Sequence, residues 1–415
     1  MQEHFHKEKQ EPERMPRLLV VAILVLVALL SSLLTSVYFV RYYEAPDFAP
    51  LMEMDQVIQE HYFFGDENTT REKGIENALR GMVAGLGDVY ADYLTAEEYD
   101  EMLESDSGEY SGLGIVVTEP DGEGSLIMKV YEGGPAFDAG IQPGDRIKVV
   151  NGMPVEGLTL NEMLELFSDD EAVSDTLTLA RGEEVFTVTL TKRPVHIPRV
   201  YFEQLADGKG YIRLEEFSGD VVKEFDEAIQ TLTKQGAEAL IVDLRNNPGG
   251  GLTEVLGTLD CVLKQGQPIS TIRDKAGNEE VYNSKGPGMD LPMAVLVNGN
   301  SASGSEMFSG AVQDNNRGVI IGTQTYGKGI VQSFYRLPSN GGWIKLTTDA
   351  YYTPSGVCIH ETGITPDILV ELPDEDGDGY VDIAALPHEN DPQLQRAIQE
   401  LNKTSLSREG NGRAK

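Results

Sequence analysis

Ser303 lies in "VNGNSASGSEMFSGA", Val297 to Ala311, where four serines follow the end of an apolar run. A hydroxyl in that position has two possible uses. Ser303-Gly304-Ser305-Glu306 fits the S-x-x-E capping box, in which hydroxyl and glutamate satisfy the orphan N–H groups of a starting helix. Ser301 is a second candidate cap, and Ser305 and Ser309 either face solvent or bond back to the helix. The other use is acyl transfer. A nucleophilic hydroxyl needs a base, N–H groups that can hold an oxyanion, and small neighbours that admit a peptide. Ala302 and Gly304 are small, and a helix start supplies a positive dipole end.

The base is the harder requirement. His61, His196 and His360 are the histidines outside the termini and tail, and none stands in a recognisable triad context. Lys328, set between Gly327 and Gly329, is the alternative. An ordinary lysine titrates near about 10.4, and keeping it neutral near pH 7 takes a bias of roughly 4 kcal/mol, which desolvation can supply. In the extended "GIVQSF" that follows, Lys328, Ile330 and Gln332 share one face, so the Gln332 carbonyl can accept from the amine and orient it. Taken alone, a lysine in a glycine-rich turn reads as a solvated surface residue.

These groups need a scaffold that brings distant segments together. From about Val195 to Pro373 apolar strands alternate with helical stretches, which implies βαβ units and a partly parallel sheet buried on both faces. Ser218 reads as an N-cap and Gly236 as a stop for the helix between them. The loops "RNNPGGG", "NGNSASGSE" and "QTYGKGIVQ" fall at or beside strand ends, where ligands gather in open α/β sheets.

Upstream, "GGPAFDAGIQPGDRIKVVNGMPVEGLTLNEMLELF" predicts a one-turn helix from Pro135 to Gly140, a Pro143-Gly144-Asp145 turn into a strand, and a helix over Leu160 to Phe167. With the preceding "YSGLGIVVTE" it resembles a PDZ domain of the bacterial protease type. The resemblance implies that Gly112-Leu113-Gly114-Ile115 receives a peptide's C-terminal carboxylate. Successive backbone N–H groups there form an anion nest, and the next strand's edge accepts the peptide.

The remaining segments bound the class. A chain of 415 residues with 68 Asp+Glu against 33 Lys+Arg carries a formal charge of -35, which disfavours nucleic acid as a partner. Two cysteines, Cys261 and Cys358, exclude a disulfide scaffold and read as simply buried. Leu18 to Val40 holds no charged residue and is long enough to cross a bilayer core of ~30 Å once. Arg14 and Arg17 precede it, Glu44 and Asp47 follow, and Tyr38, Tyr42 and Tyr43 suit an aromatic belt. The expectation is an uncleaved anchor with a cytoplasmic N-terminus, because a signal peptide's apolar region is shorter and no small-x-small cleavage site is evident. Amphipathic helices follow, one capped by Thr69 or Thr70. Asp374, Asp376 and Asp378 alternate as in a calcium loop, but Ala385 stands where an EF-hand needs glutamate, so an acidic linker is expected. "DPQLQRAIQELNK" reads as a short helix and "TSLSREGNGRAK" as a frayed tail.

Together "VNGNSASGSE", "TYGKGIVQ", "DLRNNPGG", "GLGDVYADYLTAEEY" and "GITPDILV" resemble the carboxyl-terminal processing proteases, Ser-Lys peptidases of the tail-specific type. The resemblance implies an α/β multidomain chain: a crotonase/Clp-protease-like serine protease core, an inserted PDZ domain, helical flanks and one N-terminal transmembrane helix. The expected parts are 1–17 cytoplasmic, 18–40 anchor, 47–106 helical, 107–193 PDZ, 194–373 protease core, and 374–415 acidic linker, C-terminal helix and tail. It implies Ser303 as nucleophile, Lys328 as base and Gln332 as the residue orienting it. Gly304 would give one oxyanion N–H, and Gly249 or Gly250 of the NPGG turn the other. The family commonly has alanine where Gly304 stands. It further implies no metal or organic cofactor, protein substrates held by their C-terminal segments, and a homodimer. A non-catalytic PDZ adaptor is the alternative, and the intact Ser303, Lys328 and Gln332 argue against it; the anchor and PDZ segment argue against a crotonase-type acyl enzyme.

Overall fold

The computed structural model describes residues 17–43, 48–65, 69–168, 170, 172–373 and 381–412, in two compact units divided after Gly87. The expected acidic loop at Asp374, Asp376 and Asp378 lies outside the described residues, as do Arg14, Glu44 and Asp47. The first unit is helical: α1 (Arg17–Tyr43), α2 (Ala49–His61) and α3 (Arg71–Ala84). Leu18–Ser36 of α1 has a mean hydropathy of 2.9 and none of it is buried, so by length and composition it can cross a membrane. Thr70, rather than Thr69, caps α3 by accepting from the Lys73 N–H. An Arg71–Asp55 ion pair at 3.2 Å ties α3 to α2.

The first strand of the second unit is short, β1 (Asp92–Leu94). It leads into α4 (Ala96–Ser107), which a Thr95/Glu98 capping box starts and left-handed Gly108 ends. A small domain follows, made of β2 (Glu109–Gly112), β3 (Ile115–Val117), β4 (Ser125–Val130), α5 (Pro135–Asp138), β5 (Arg146–Val150), β6 (Met153–Pro154), α6 (Leu160–Leu164), β7 (Ser174–Arg181), β8 (Glu184–Thr191) and β9 (Arg193–His196). Its sheet runs β3-β4-β5-β7-β8, so β3 is an open edge. Its separate core centres on Ile127, Ile147, Met163, Leu177 and Leu179. Asp145 of the Pro-Gly-Asp turn is buried and paired with Arg181 at 2.7 Å, which fixes that turn. The α6 helix ends at Leu164, short of Phe167. Strands β2 and β9, the domain's entry and exit, pair with each other.

The large domain contains β10 (Val200–Gln204), β11 (Gly210–Leu214), α7 (Val221–Lys234), β12 (Leu240–Asp243), α8 (Leu252–Val262), β13 (Pro268–Asp274), β14 (Glu279–Asn283), β15 (Met293–Val297), α9 (Gly304–Asp314), β16 (Val319–Gly322), β17 (Ile330–Arg336), β18 (Trp343–Tyr352), β19 (Ile368–Leu369) and α10 (Pro392–Gly412). One sheet runs β10-β11-β12-β15-β16-β19 and is parallel from β11 onward. Alternation along its strands sends Ile212, Val242, Val295 and Ile320 toward α7, α8 and α9, while Tyr211, Ile241, Leu296 and Ile321 meet α10. A second, antiparallel sheet joins β1, β18, β13 and β14, with β17 also on β18.

Local expectations fail where glycine or a long-range partner intervenes. Gly219 is left-handed, so α7 starts after Asp220 and the Ser218 hydroxyl bonds Glu216 instead of capping. No proline or glycine interrupts α10 before Gly410, and the helix runs to Gly412 through the expected tail. Both cysteines are free; Cys358 is exposed rather than buried, and half-buried Cys261 bonds the Gly257 carbonyl.

One buried ionic cluster fastens α10 to the parallel sheet. Arg245, just past β12, binds Asp243, the Gln393 side chain at 3.1 Å and Asp391 at 2.8 Å. Asp391 also caps α10 by accepting from Gln393 and Leu394 N–H, and Tyr211 donates to Asp243. Removing one partner of such a cluster leaves a buried charge uncompensated. Arg245→Met is therefore expected to destabilise the chain by about 3–5 kcal/mol, read from the urea unfolding midpoint.

Candidate active site

Three adjacent parallel strands end in the three loops singled out by sequence. The Asn-Pro-Gly-Gly turn follows β12, the serine loop follows β15, and the Lys328 loop follows β16. Asn247, fully buried, locks the first two together. Its side chain donates to the Leu214 carbonyl and accepts from Gly249 N–H, both at 2.8 Å. Its carbonyl accepts from Ala302 N–H and from the Ser305 hydroxyl. Gly249, at φ +105°, touches the serine loop so closely that a Cβ would lie 2.6 Å from the Gly304 nitrogen. Because Gly249 N–H is spent on Asn247, Gly250 N–H is the turn's remaining candidate oxyanion donor, beside Gly304 N–H at the start of α9.

The four serines separate cleanly. Ser301 donates to the Leu244 carbonyl and accepts from Asn298 N–H, Ser305 holds Asn247, and Ser309 bonds back to the Ser305 carbonyl. Ser303 sits at φ +51°, ψ -110°, a conformation that costs a non-glycine residue about 1–3 kcal/mol and persists only where neighbours enforce it. Two neighbours do so. The Glu306 carboxylate, fully buried, accepts from Ser303 N–H and Lys328 N–H at 2.8 Å each, from Gly327 N–H at 2.7 Å and from the Thr325 hydroxyl at 2.6 Å. The Tyr351 hydroxyl of β18 reaches the Ser303 carbonyl at 2.7 Å and the Lys328 carbonyl at 2.9 Å. Glu306 thus does more than close a capping box: it joins the amides of the two candidate catalytic residues, while Tyr351 joins their carbonyls.

Ser303, Lys328, Gln332, Gly250 and Gly304 line one cavity of about 540 Å³. Phe217, Leu252, Val255 and Met307 give it an apolar wall, and Asp106, Glu216 and Glu254 an acidic one. Burial and the nearby Lys345 push the Lys328 amine below its ordinary range, against the opposing pull of Asp88 and Glu306. The amine lies 4.8 Å from the centre of the Tyr90 ring. The Gln332 amide nitrogen donates to Thr347, a long bond of 3.4 Å that leaves its carbonyl oxygen for other donors. Asp88, whose carboxyl is held low by the Thr347 hydroxyl and by Tyr90 N–H, completes this side. Flanking Gly329 packs so tightly that a Cβ would lie 2.5 Å from the His360 nitrogen.

A model of "Peptidase family S41" matches residues 208–370, and a model of "PDZ domain" matches 102–173. The carboxy-terminal-processing protease of Bartonella bacilliformis is 36% identical over 312 residues, 73% of this chain and 70% of that protein. The chain belongs to peptidase family S41. The carboxyl-terminal-processing protease of Synechocystis is 34% identical over 333 residues, covering 78% and 76% of the two chains. The solved structure of a putative S41 protease from Bacteroides fragilis shares the fold, with a TM-score of 0.50 at 18% identity over 85% of this chain and 97% of that one.

The chain is therefore a carboxy-terminal processing serine protease of the S41 family with a PDZ domain. The PDZ match stops before β7 and β8, which the structure places in the same sheet. Gly304 leaves no room for a side chain: a Cβ there would stand 2.6 Å from the Val255 side chain and 3.2 Å from Phe217. Sequence reasoning missed Tyr351, Asn247, Asp88 and Tyr90 as parts of the site. Asp88 and Tyr90 left a trace within "GLGDVYADYLTAEEY" and Asn247 one within "DLRNNPGG", whereas Tyr351 left none. Among the described residues no group of side chains is disposed to hold a metal ion.

Glu306→Gln puts an amide NH2 against N–H donors that the carboxylate now accepts. It is expected to destabilise the chain by about 2–3 kcal/mol, with a loss of kcat of roughly tenfold or more as Ser303 leaves its enforced conformation. Urea unfolding and steady-state cleavage of an unstructured protein measure the two effects.

Proposed function

We propose that this S41 protease is a single-pass membrane-anchored endopeptidase working through a Ser303–Lys328 pair. Neutral Lys328 takes the Ser303 proton as Oγ attacks a peptide carbonyl, and Gln332, through its side-chain oxygen, holds the amine in line. The tetrahedral oxyanion is held by Gly304 N–H and Gly250 N–H. Lys328 returns the proton to the leaving amine, which departs as the new N-terminus and leaves an ester on Ser303. It then deprotonates a water whose attack releases the new C-terminus. The observation that supports this most is the double tie, through Glu306 and Tyr351, between the backbones of Ser303 and Lys328 at one shared cavity.

The exposed apolar α1 supports an anchor, with the N-terminus cytoplasmic and the catalytic part outside. The Gly112-Leu113-Gly114-Ile115 loop and the open edge of β3 support capture of a substrate's C-terminal segment, through which the PDZ domain regulates cleavage. Leu51, Met54, Val57, Ile58, Ile75 and Met82 are exposed on α2 and α3, and they support a homodimer through that unit.

Incubating the full chain in detergent with an unstructured protein tests the chemistry. Wild type is expected to cut it, while Ser303→Ala and Lys328→Ala lose at least about a thousandfold in kcat/KM. Normal cutting by Ser303→Ala would refute the nucleophile. The base makes a second, signed prediction. Lys345 lowers the Lys328 pKa through charge repulsion, so Lys345→Gln raises it. The acidic limb of kcat/KM, which reports loss of the neutral amine, should then move to higher pH.

A further inference from the structure

The PDZ loop is not open to a ligand as it stands. The Tyr110 side chain of β2 folds back along the strand and its hydroxyl accepts from Gly114 N–H at 3.1 Å. The Ile115 N–H also faces that oxygen. The ring packs against Gly112, where a Cβ would stand 2.2 Å from the ring edge, so only glycine lets it reach the loop. The carbonyls of the same loop are occupied elsewhere: Leu113 accepts from Ala136 N–H at 3.0 Å, and Gly114 from Tyr131 N–H at 2.9 Å. Their engagement turns the Leu113–Ile115 amides toward the side where a peptide carboxylate would sit. The oxygen found there belongs to the protein itself.

We propose that Tyr110 is an internal cap on the carboxylate nest, a residue that sets which C-termini the PDZ domain accepts by competing with them for the Gly114 N–H. The inference deepens, and rests on, the reading of Gly112–Ile115 as a carboxylate site. A phenol oxygen is a neutral acceptor, and burial keeps Tyr110 neutral by raising its pKa. A carboxylate makes the stronger, charge-assisted bond to the same amide, so it can displace the phenol at a reduced net gain. Segments that offer good side-chain contacts along β3 overcome the cap; a bare carboxylate does not. Tyr110 also lies in the β2–β9 pair through which the domain joins the rest of the unit. A bound C-terminus therefore moves a side chain of the connecting strand itself.

The test is fluorescence anisotropy on the full chain in detergent, carrying Ser303→Ala so that nothing is cut. The probe is a labelled unstructured peptide ending in valine, prepared as the free acid and as the C-terminal amide. Tyr110→Phe keeps the ring over Gly112 and removes only the oxygen. It is expected to bind the free acid about three- to tenfold more tightly than its parent, the worth of one net hydrogen bond, with no gain for the amide. Unchanged or weaker binding of the free acid by Tyr110→Phe overturns the cap, a weakening meaning that the hydroxyl is a ligand of the carboxylate. If neither protein prefers the acid to the amide, the carboxylate site itself is refuted, and the cap falls with it.

Discussion

A single buried carboxylate organises the candidate catalytic centre. Glu306 has no access to water, and a bare charge in that position would be prohibitively costly. Four donors meet it, three backbone amides and one hydroxyl, drawn from the serine loop and the lysine loop. Neither loop can withdraw without leaving a charged acceptor underpaired in a low-dielectric interior. The loops are consequently held together by the same requirement that makes the core fold. Tyr351 adds the complementary contact to their carbonyls, from a strand of the other sheet. The site is assembled by the fold before any substrate arrives.

How much of this could be read from the chain depends on the range of each signal. Apolar strands, the glycine-rich turn and the small residues around Ser303 are local patterns, and they placed three loops at one end of a parallel sheet. Lys328, by contrast, read on its own as a surface lysine, and only the resemblance of the combined motifs singled it out as the base. What escaped was carried by single side chains reaching across long sequence separations. Nothing near Tyr351 distinguishes it from the tyrosine that follows. The choice between Gly249 and Gly250 turns on the amide of Asn247, since that side chain consumes one N–H of the pair. Helix limits at Ser218 and in the C-terminal tail were misplaced because one left-handed glycine, or the lack of any breaker, outweighed the residue types.

Electrostatics in this protein are local despite the large acidic surplus. The cavity is lined by Lys328 and Lys345, which repel one another, and by Asp106, Glu216 and Glu254. Burial, together with Glu216, raises the Asp106 carboxyl above its usual range, although Arg199 opposes it. The net charge of the surface therefore says little about the field felt at the scissile bond, where burial and a few neighbours dominate.

The pairing of β2 with β9 has a mechanical meaning. Because the small domain leaves and rejoins the large one through two strands zipped side by side, both of its connections lie along one edge. The pair is stitched to the cavity that Ser303 lines: Ile197 N–H bonds the Gly108 carbonyl, and Gly219, in the cavity wall, donates to the Asp106 carbonyl just before it. A strain on the β2–β9 pair thus reaches the rim of the cavity through two backbone hydrogen bonds.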